Sequence, residues 1–299
     1  MNGQVTLVAT TYNNADHVHL FIDSCLHQTF SRWELILIDD GSNDKTVDVI
    51  RKFAVKDKRI RYQVLPHGER GIARVAGMLK AVNDPSEYIF FLDSDMLMEP
   101  DMLDEAIEYM TINKQIGALV IPEIPISRYV NYWTKVKVFE RRILNNAGKE
   151  LDSRSIEAAR FWRKEAYLQS GGLEPNQIAF EEIQPTIRFM ETGGLIKRLE
   201  GVGVFHNEKQ VVLKDLLMKK AYYFSVMDRT IKTERKGFIK ALKRWYFFRP
   251  VLYRKSNLIL YLKEPDLFIG MCIMYVLLTG IAIKALMKST FLKTMSLTS

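Results

Sequence analysis

The sequence predicts an α/β fold: a mainly parallel sheet with helices on both faces. Three observations carry that expectation. Short apolar runs recur at residues 5–9, 35–38, 60–65 and 88–92. Segments of helical spacing stand between them, the alternation expected of a parallel sheet buried on both faces. Two of the runs end in carboxylates, Asp39-Asp40 and Asp93-Ser94-Asp95. Open parallel sheets bind their ligands beyond the carboxyl ends of the strands, so these acids mark the working edge.

The elements follow in order. The first run ends in Thr10-Thr11-Tyr12-Asn13-Asn14, and Val18, Phe21, Ile22, Cys25 and Leu26 then recur on one helical face, with Asp16 expected as the cap. The second run stops at Asp39-Asp40-Gly41-Ser42. Asn43 or Asp44 is expected to cap the next helix, whose inner positions are Val47, Ile50 and Phe53. A third strand is expected over 60–65, a helix over 72–82 and a fourth strand over 88–92. Residues 118–203 are less regular, with turns marked by Gly171-Gly172, Pro175 and Gly193-Gly194. From about residue 214 lysine and arginine interleave with aromatics, and an apolar run over 267–283 is broken by Lys284. These shifts divide the chain into an expected catalytic domain, 1–212, and a basic, aromatic helical region, 213–299. A membrane-associating helix is expected over 267–287.

Composition narrows the partners. The 299 residues are 47 % hydrophobic and 26 % charged, as in a folded globular protein, and the formal net charge is +8. That excess suits a phosphorylated substrate, an acidic lipid surface or nucleic acid. The C-terminal apolar run and the lack of a nucleic-acid-binding motif favour lipid over nucleic acid. Cys25 and Cys272 fit no metal spacing and no disulfide framework, which points to a reducing, cytosolic setting. The N-terminal residues show no signal-peptide pattern.

Asp93-Ser94-Asp95 holds the chemistry. Two carboxylates one residue apart at a strand end can turn toward a hard cation, Mg²⁺ or Mn²⁺, which keeps positions open for diphosphate oxygens. Asp-x-Asp alone is equally a turn or capping pair. Asp39-Asp40-Gly41-Ser42 can offer a carboxylate to a base N–H or a ribose hydroxyl, with the glycine permitting close backbone approach. The same residues also form a tight turn. A phosphohydrolase of the haloacid-dehalogenase type would carry its Asp-x-Asp on the first strand, whereas here the pair follows a separate acidic strand end.

The chain resembles the family 2 glycosyltransferases of the GT-A fold. The resemblance lies in Thr10-Thr11-Tyr12-Asn13, in residues 28–35 (Gln-Thr-Phe-Ser-Arg-Trp-Glu-Leu), in residues 38–46 (Ile-Asp-Asp-Gly-Ser-Asn-Asp-Lys-Thr), in Gly71-Ile72-Ala73-Arg74 and in Phe91-Leu92-Asp93-Ser94-Asp95. These stretches cover about the first hundred residues in the family's order. The resemblance implies a nucleotide pocket of Thr10, Tyr12, Asp39, Asp40, Arg74 and Asp93, with Tyr12 against the base. Arg74 would approach the donor diphosphate or stabilise the acidic cluster. It implies a metal held by Asp95 with Asp93, and by His206 as a third ligand; a histidine after an apolar strand is as often a packed turn residue. Gly171-Gly172-Leu173-Glu174-Pro175 resembles the acceptor loop. Glu181-Glu182-Ile183-Gln184, followed by Arg188, stands where the family carries Glu-Asp-x-Asp, so Glu182 takes the place of the general base, Glu181 joins the acceptor side, and Gln184 replaces the second acid.

The expected reaction is inverting, metal-assisted transfer of a sugar from a nucleoside diphosphate, with UDP favoured, to a lipid-linked or polysaccharide hydroxyl. The expected setting is the cytoplasmic face of a membrane. The alternative is a non-catalytic nucleotide- or glycan-binding module on the same fold.

Overall fold

The computed structural model describes residues 3–68, 70–145, 157–174, 183–225 and 246–297. It contains two compact units, and residues 125–145 group with those from 208 onward rather than with the preceding strands. The first unit is an α/β layer structure. Its strands are β1 (Val5–Thr11), β2 (Trp33–Asp39), β3 (Ile60–Val64), β4 (Tyr88–Asp93), β5 (Met96–Met98), β6 (Ile116–Val120), the first half of β7 (Glu123–Ile126), β8 (Arg160–Arg163), β9 (Leu195–Arg198) and β10 (Val204–Asn207). Its helices are α1 (Ala15–Leu26), α2 (Thr46–Lys56), α3 (Arg70–Asn83), α4 (Met102–Ile112), α6 (Lys164–Gln169) and α7 (Ile183–Glu191). Seven strands form the main sheet in the order β3-β2-β1-β4-β8-β6-β9, and β5-β10-β7 form a small second one.

Strand alternation explains the two cores. Leu7, Leu35, Leu37, Phe90 and Leu92 point to one face, where they meet Val18, Phe21 and Ile22 of α1 and Leu103, Ala106 and Ile107 of α4. Their neighbours Val8, Ile36, Ile38, Ile89 and Phe91 point to the other, against Ala73, Met78 and Ala81 of α3. Burial pushes the Cys25 thiol up, out of the range where thiolate chemistry operates.

The parallel part runs β3-β2-β1-β4, as the sequence pattern predicts. Beyond it β8 lies antiparallel to both β4 and β6. Two of the expected caps shift. α1 begins at Ala15 behind Asn14, and Asp16 sits in the first turn, where a negative charge still favours the helix dipole. α2 follows Lys45, and Asp44 reaches forward, its Oδ1 accepting from Thr46 N at 2.9 Å.

The second unit is helical: α5 (Tyr132–Asn145), α8 (Leu213–Ser225), α9 (Lys255–Lys263) and α10 (Pro265–Leu297). Tyr132 donates its hydroxyl to Asp266 O at 2.9 Å, and Tyr275 donates to the buried Glu140 at 2.9 Å, tying α10 to α5. The segment Pro265–Lys284 is long and apolar enough to cross a membrane. Leu267, Met271, Met274, Tyr275, Leu278 and Ala282 are buried, while Ile269, Ile273, Val276 and Ile283 point outward.

Candidate active site

The candidate site lies at the carboxyl ends of β1, β2, β3 and β4. The register aligns it: Thr11 pairs with Asp39, and Thr10 with Asp93. Each strand therefore delivers its first polar residues at one level.

At the β2 end, Asp39 is fully buried, and its carboxylate accepts from Ser42 N at 2.8 Å and Ser42 Oγ at 2.5 Å. Its role in this arrangement is to close the turn. Ser42 Oγ also accepts from Asn13 N at 2.8 Å, which ties the β2 turn to the β1 turn. Asn13 has a left-handed φ of 45°. Asp40 is the more outward acid: Oδ1 accepts from Gly68 N at 3.1 Å, and Oδ2 lies 3.1 Å from His67 Nδ1. Gly41 makes this closure feasible. Its φ is +70°, and a Cβ there would stand 2.5 Å from His67 N. Tyr12 stacks on His67 with ring centroids 4.2 Å apart and planes 13° apart.

At the β4 end the acids separate. Asp93 is held by Arg74 of α3, Nη2 to Oδ1 at 2.6 Å, with the guanidinium 4.9 Å over the Phe91 ring. Arg74 is only 1 % exposed, so it braces Asp93 from within the fold. Asn14 fixes the turn between the acids, its Nδ2 lying 3.2 Å from both Ser94 O and Ser94 Oγ.

Asp95 faces the small sheet. His206 Nε2 lies 3.7 Å from Asp95 Oδ2, too far for a hydrogen bond. The other ring nitrogen, Nδ1, is 3.1 Å from Glu123 Oε2. The contact to Glu123 makes Nδ1 the donor there and turns Nε2 toward Asp95. Asp95 Oδ1 is buried and finds no hydrogen-bond partner among the described residues. A cation between a carboxylate and a carboxylate-braced imidazole would satisfy both. Among the described residues no group of three or more His, Cys, Asp or Glu forms a closed cage, so most of such an ion's positions would be left for substrate oxygens and water.

Glu123 is part of a buried brace that the sequence reading missed. Its Oε1 accepts from Ala158 N, and its own N–H donates to Glu157 Oε1 at 3.0 Å. Arg198 forks onto Glu157 at 2.7 and 2.9 Å. The available signal was a carboxylate set between prolines in the short strand Glu123-Ile124-Pro125-Ile126.

On the acceptor side, Gly171 and Gly172 take φ of +76° and +69°, values that glycine adopts without strain. Arg188 of α7 donates to Ser170 O at 2.6 Å and to Gly172 O, locking the loop to that helix. Tyr167 supports it from below, its oxygen accepting from Leu173 N at 3.1 Å; burial pushes its phenol up to about 12, so it stays neutral. Gln184 is buried. Glu181 and Glu182 lie outside the described residues.

The chain is similar to known proteins in sequence and in fold. An uncharacterised glycosyltransferase of Haemophilus influenzae is 37 % identical over 110 residues, covering 36 % of this chain and 43 % of the relative. The poly(ribitol-phosphate) beta-N-acetylglucosaminyltransferase TarP of Staphylococcus aureus is 35 % identical over 112 residues, covering 36 % and 32 %. The chain thus aligns with less than half the length of these relatives. Among solved structures, the mannosyltransferase PcManGT of Pyrobaculum calidifontis, with GDP-Man and Mn²⁺, superposes with a TM-score of 0.61 at 14 % identity, covering 96 % of this chain and 88 % of that one. TarS 1–349 of S. aureus with UDP-GlcNAc gives 0.57 at 14 % identity, covering 92 % and 81 %. At this identity both superpositions speak to the fold alone, a GT-A-like α/β architecture. The description Glycosyl transferase family 2 matches residues 6–169, more than half of the chain, and the chain belongs to that family.

Proposed function

We propose that the chain transfers a sugar from a nucleoside diphosphate to an acceptor hydroxyl, with inversion at the anomeric carbon and a divalent cation at Asp95 and His206. The observation that carries this reading is the Asp95–His206–Glu123 line: a buried carboxylate oxygen with no hydrogen-bond partner among the described residues, beside an imidazole held from behind by Glu123. A bound Mg²⁺ or Mn²⁺ there would neutralise charge on the departing diphosphate.

The chain's own residues supply the rest. Thr10, Tyr12 and Asp40 line the base and ribose end, with Asp39 holding their turn. Asp93, braced by Arg74, stands between that end and Asp95. Across two strand spacings, roughly 10 Å by ordinary sheet geometry, the site passes from base-binding to diphosphate-binding groups. Gly171 and Gly172 shape the acceptor side, to which the sequence resemblance also assigns Glu181. Glu182 takes the proton from the acceptor hydroxyl as its oxygen bonds to the anomeric carbon and the bond to the diphosphate breaks. UDP is the favoured donor nucleotide, although the structural neighbours include one bound to GDP-Man and one to UDP-GlcNAc.

The acceptor we favour is a membrane-associated polymer or lipid-linked glycan at the cytoplasmic face. Three things support that choice: the outward apolar face of α10, the +8 charge, and a relative named for a poly(ribitol-phosphate) substrate. Lys255 and Lys263 lie before the apolar segment and Lys284 at its end, where basic side chains meet headgroups.

Calorimetric titration with UDP and GDP, each with and without Mn²⁺, tests the donor reading. Binding of one nucleotide that strengthens with Mn²⁺ is expected; failure of both to bind would overturn it. Glu182→Gln tests the base. Transfer is expected to fall by about 100-fold or more, the usual worth of a general base, with nucleotide affinity unchanged. Near-normal transfer would remove Glu182 from the mechanism, and complete loss of nucleotide binding would make it a donor-site residue.

A further inference from the structure

We infer that α9 and α10 together form a lipid-binding face that lies in the plane of an anionic bilayer surface, so that the segment Pro265–Lys284 rests on the membrane instead of crossing it. The inference rests on the membrane reading above and states how the chain meets the bilayer.

The outward apolar residues recur at helical spacing. On α10 they include Ile269, Ile273, Val276 and Ile283, one stripe of the helix. On α9 they are Leu258, Ile259 and Leu262, and Leu262 is 82 % exposed. The opposite sides of both helices pack on α5. Asn257 of α9 donates to Ile143 O at 3.1 Å, and the Tyr261 ring centroid lies 6.2 Å from that of Phe139. On α10, a Cβ at Gly270 would stand 2.5 Å from the Tyr132 hydroxyl oxygen and 2.6 Å from Val136 Cγ2. Both apolar stripes therefore turn away from α5, and two consecutive helices with such faces need a partner other than water. Exposed Lys255, Lys263 and Lys284 flank them, and anionic headgroups attract such a fringe.

Length alone permits a crossing, since the 20 residues of Pro265–Lys284 span about 30 Å as helix. The neighbouring helices do not permit it. Asp266, Gly270 and Tyr275 of α10 meet Tyr132, Val136 and Glu140 of α5 in that order, so the two helices run side by side. Tyr275 stands at the middle of the apolar segment. A crossing would carry to mid-membrane the Glu140 carboxylate, the Lys137 ammonium bonded to it and the exposed Lys135. α8 also packs on α10, and its Lys214 and Asp215 are exposed. Exposed charges at that depth are costly and rare. Only the outward stripes can enter lipid, and a helix that enters by one stripe lies flat, about 5–10 Å deep.

The test uses the full chain with vesicles of phosphatidylcholine, with and without about one third phosphatidylglycerol. Binding is expected to be at least about tenfold tighter on the anionic vesicles and to weaken with salt; equal binding to both overturns the anionic preference. Spin labels on single cysteines at Leu262, Ile269, Val276 and Ile283, in a Cys272→Ala background, then report depth. All four are expected within about 10 Å of one depth, whereas a crossing helix separates 269 from 283 by about 21 Å. A spread above about 10 Å overturns the inference, as that is half of a full crossing. Ile259→Glu with Leu262→Glu alters only exposed side chains of α9 and is expected to weaken vesicle binding at least about tenfold. Unchanged binding removes α9 from the face and overturns the inference. So does a dimer in solution, seen by light scattering, that this double variant dissociates while vesicle binding persists, because the face then belongs to a second copy. If the wild type binds neither vesicle, the membrane reading fails first and this inference falls with it. If it binds with labels spread across the bilayer, only the inference falls.

Discussion

Asp95→Ala is expected to lower sugar transfer by about 1,000-fold or more while leaving the melting temperature within about 2 °C of wild type. The first number follows from losing cation-based charge stabilisation worth several kcal/mol, each 1.4 kcal/mol being tenfold in rate. The second follows from the local structure. Asp95 Oδ1 has no hydrogen-bond partner among the described residues, and Oδ2 stands 3.7 Å from His206, so little is broken when the carboxylate goes. A structural acid behaves in the opposite way: a turn carboxylate replaced by alanine costs about 1 kcal/mol of stability and leaves chemistry largely alone. Measuring transfer against Mn²⁺ concentration together with thermal unfolding separates the two. A large drop in melting temperature with retained, Mn²⁺-dependent transfer would remove Asp95 from the metal site. Loss of the Mn²⁺ response in nucleotide binding, with the fold intact, would place it there.

Much of this arrangement is legible from the chain because it is local. Runs such as Leu35-Ile36-Leu37-Ile38 and Ile89-Phe90-Phe91-Leu92 are buried on both faces, so they read as continuous apolar strands, and the acids that follow them fall at one sheet edge by parallel register. The contributions of Glu123, Glu157 and Arg198 are not local. Each is a single polar residue in a short strand or beside one, and the elements they join lie 34 and 41 residues apart. Strands of four or five residues, such as β7 and β9, carry too few positions for a period to emerge, which is why residues 118–203 read as irregular. His67 was missed for another reason. It sits in Pro66-His67-Gly68, which reads as an ordinary turn, and only the fold brings it to Tyr12 and Asp40. The helix α10 runs from Pro265 to Leu297, past the apolar span that ends at Lys284, since the residues beyond keep good helix formers while becoming basic.

Arg74 offers the second large effect, and the structure narrows its two expected roles. A guanidinium that touches the donor diphosphate must be accessible, but Arg74 is 1 % exposed and spends a 2.6 Å contact on Asp93. Its removal therefore acts through the fold. Arg74→Met keeps the aliphatic stem and deletes the charge that pairs with Asp93. Breaking a buried ion pair on one side costs about 3–5 kcal/mol, because the surviving charge is left uncompensated. For a chain of this size that lowers the melting temperature by roughly 10 °C. The double variant Arg74→Met with Asp93→Asn removes the stranded charge and is expected to recover more than half of the loss, a coupling that only interacting partners show. If instead Arg74→Met unfolds at the wild-type temperature but binds nucleotide about tenfold more weakly, the arginine contacts the donor, and the buried pair must open on binding. Thermal unfolding of the four members of this cycle, read beside nucleotide affinity, decides whether the arginine holds the acid or the substrate. The 2.6 Å geometry and the Phe91 ring beneath the guanidinium favour the acid. With Asp93 held in this way, Asp95 is left as the β4 carboxylate facing His206.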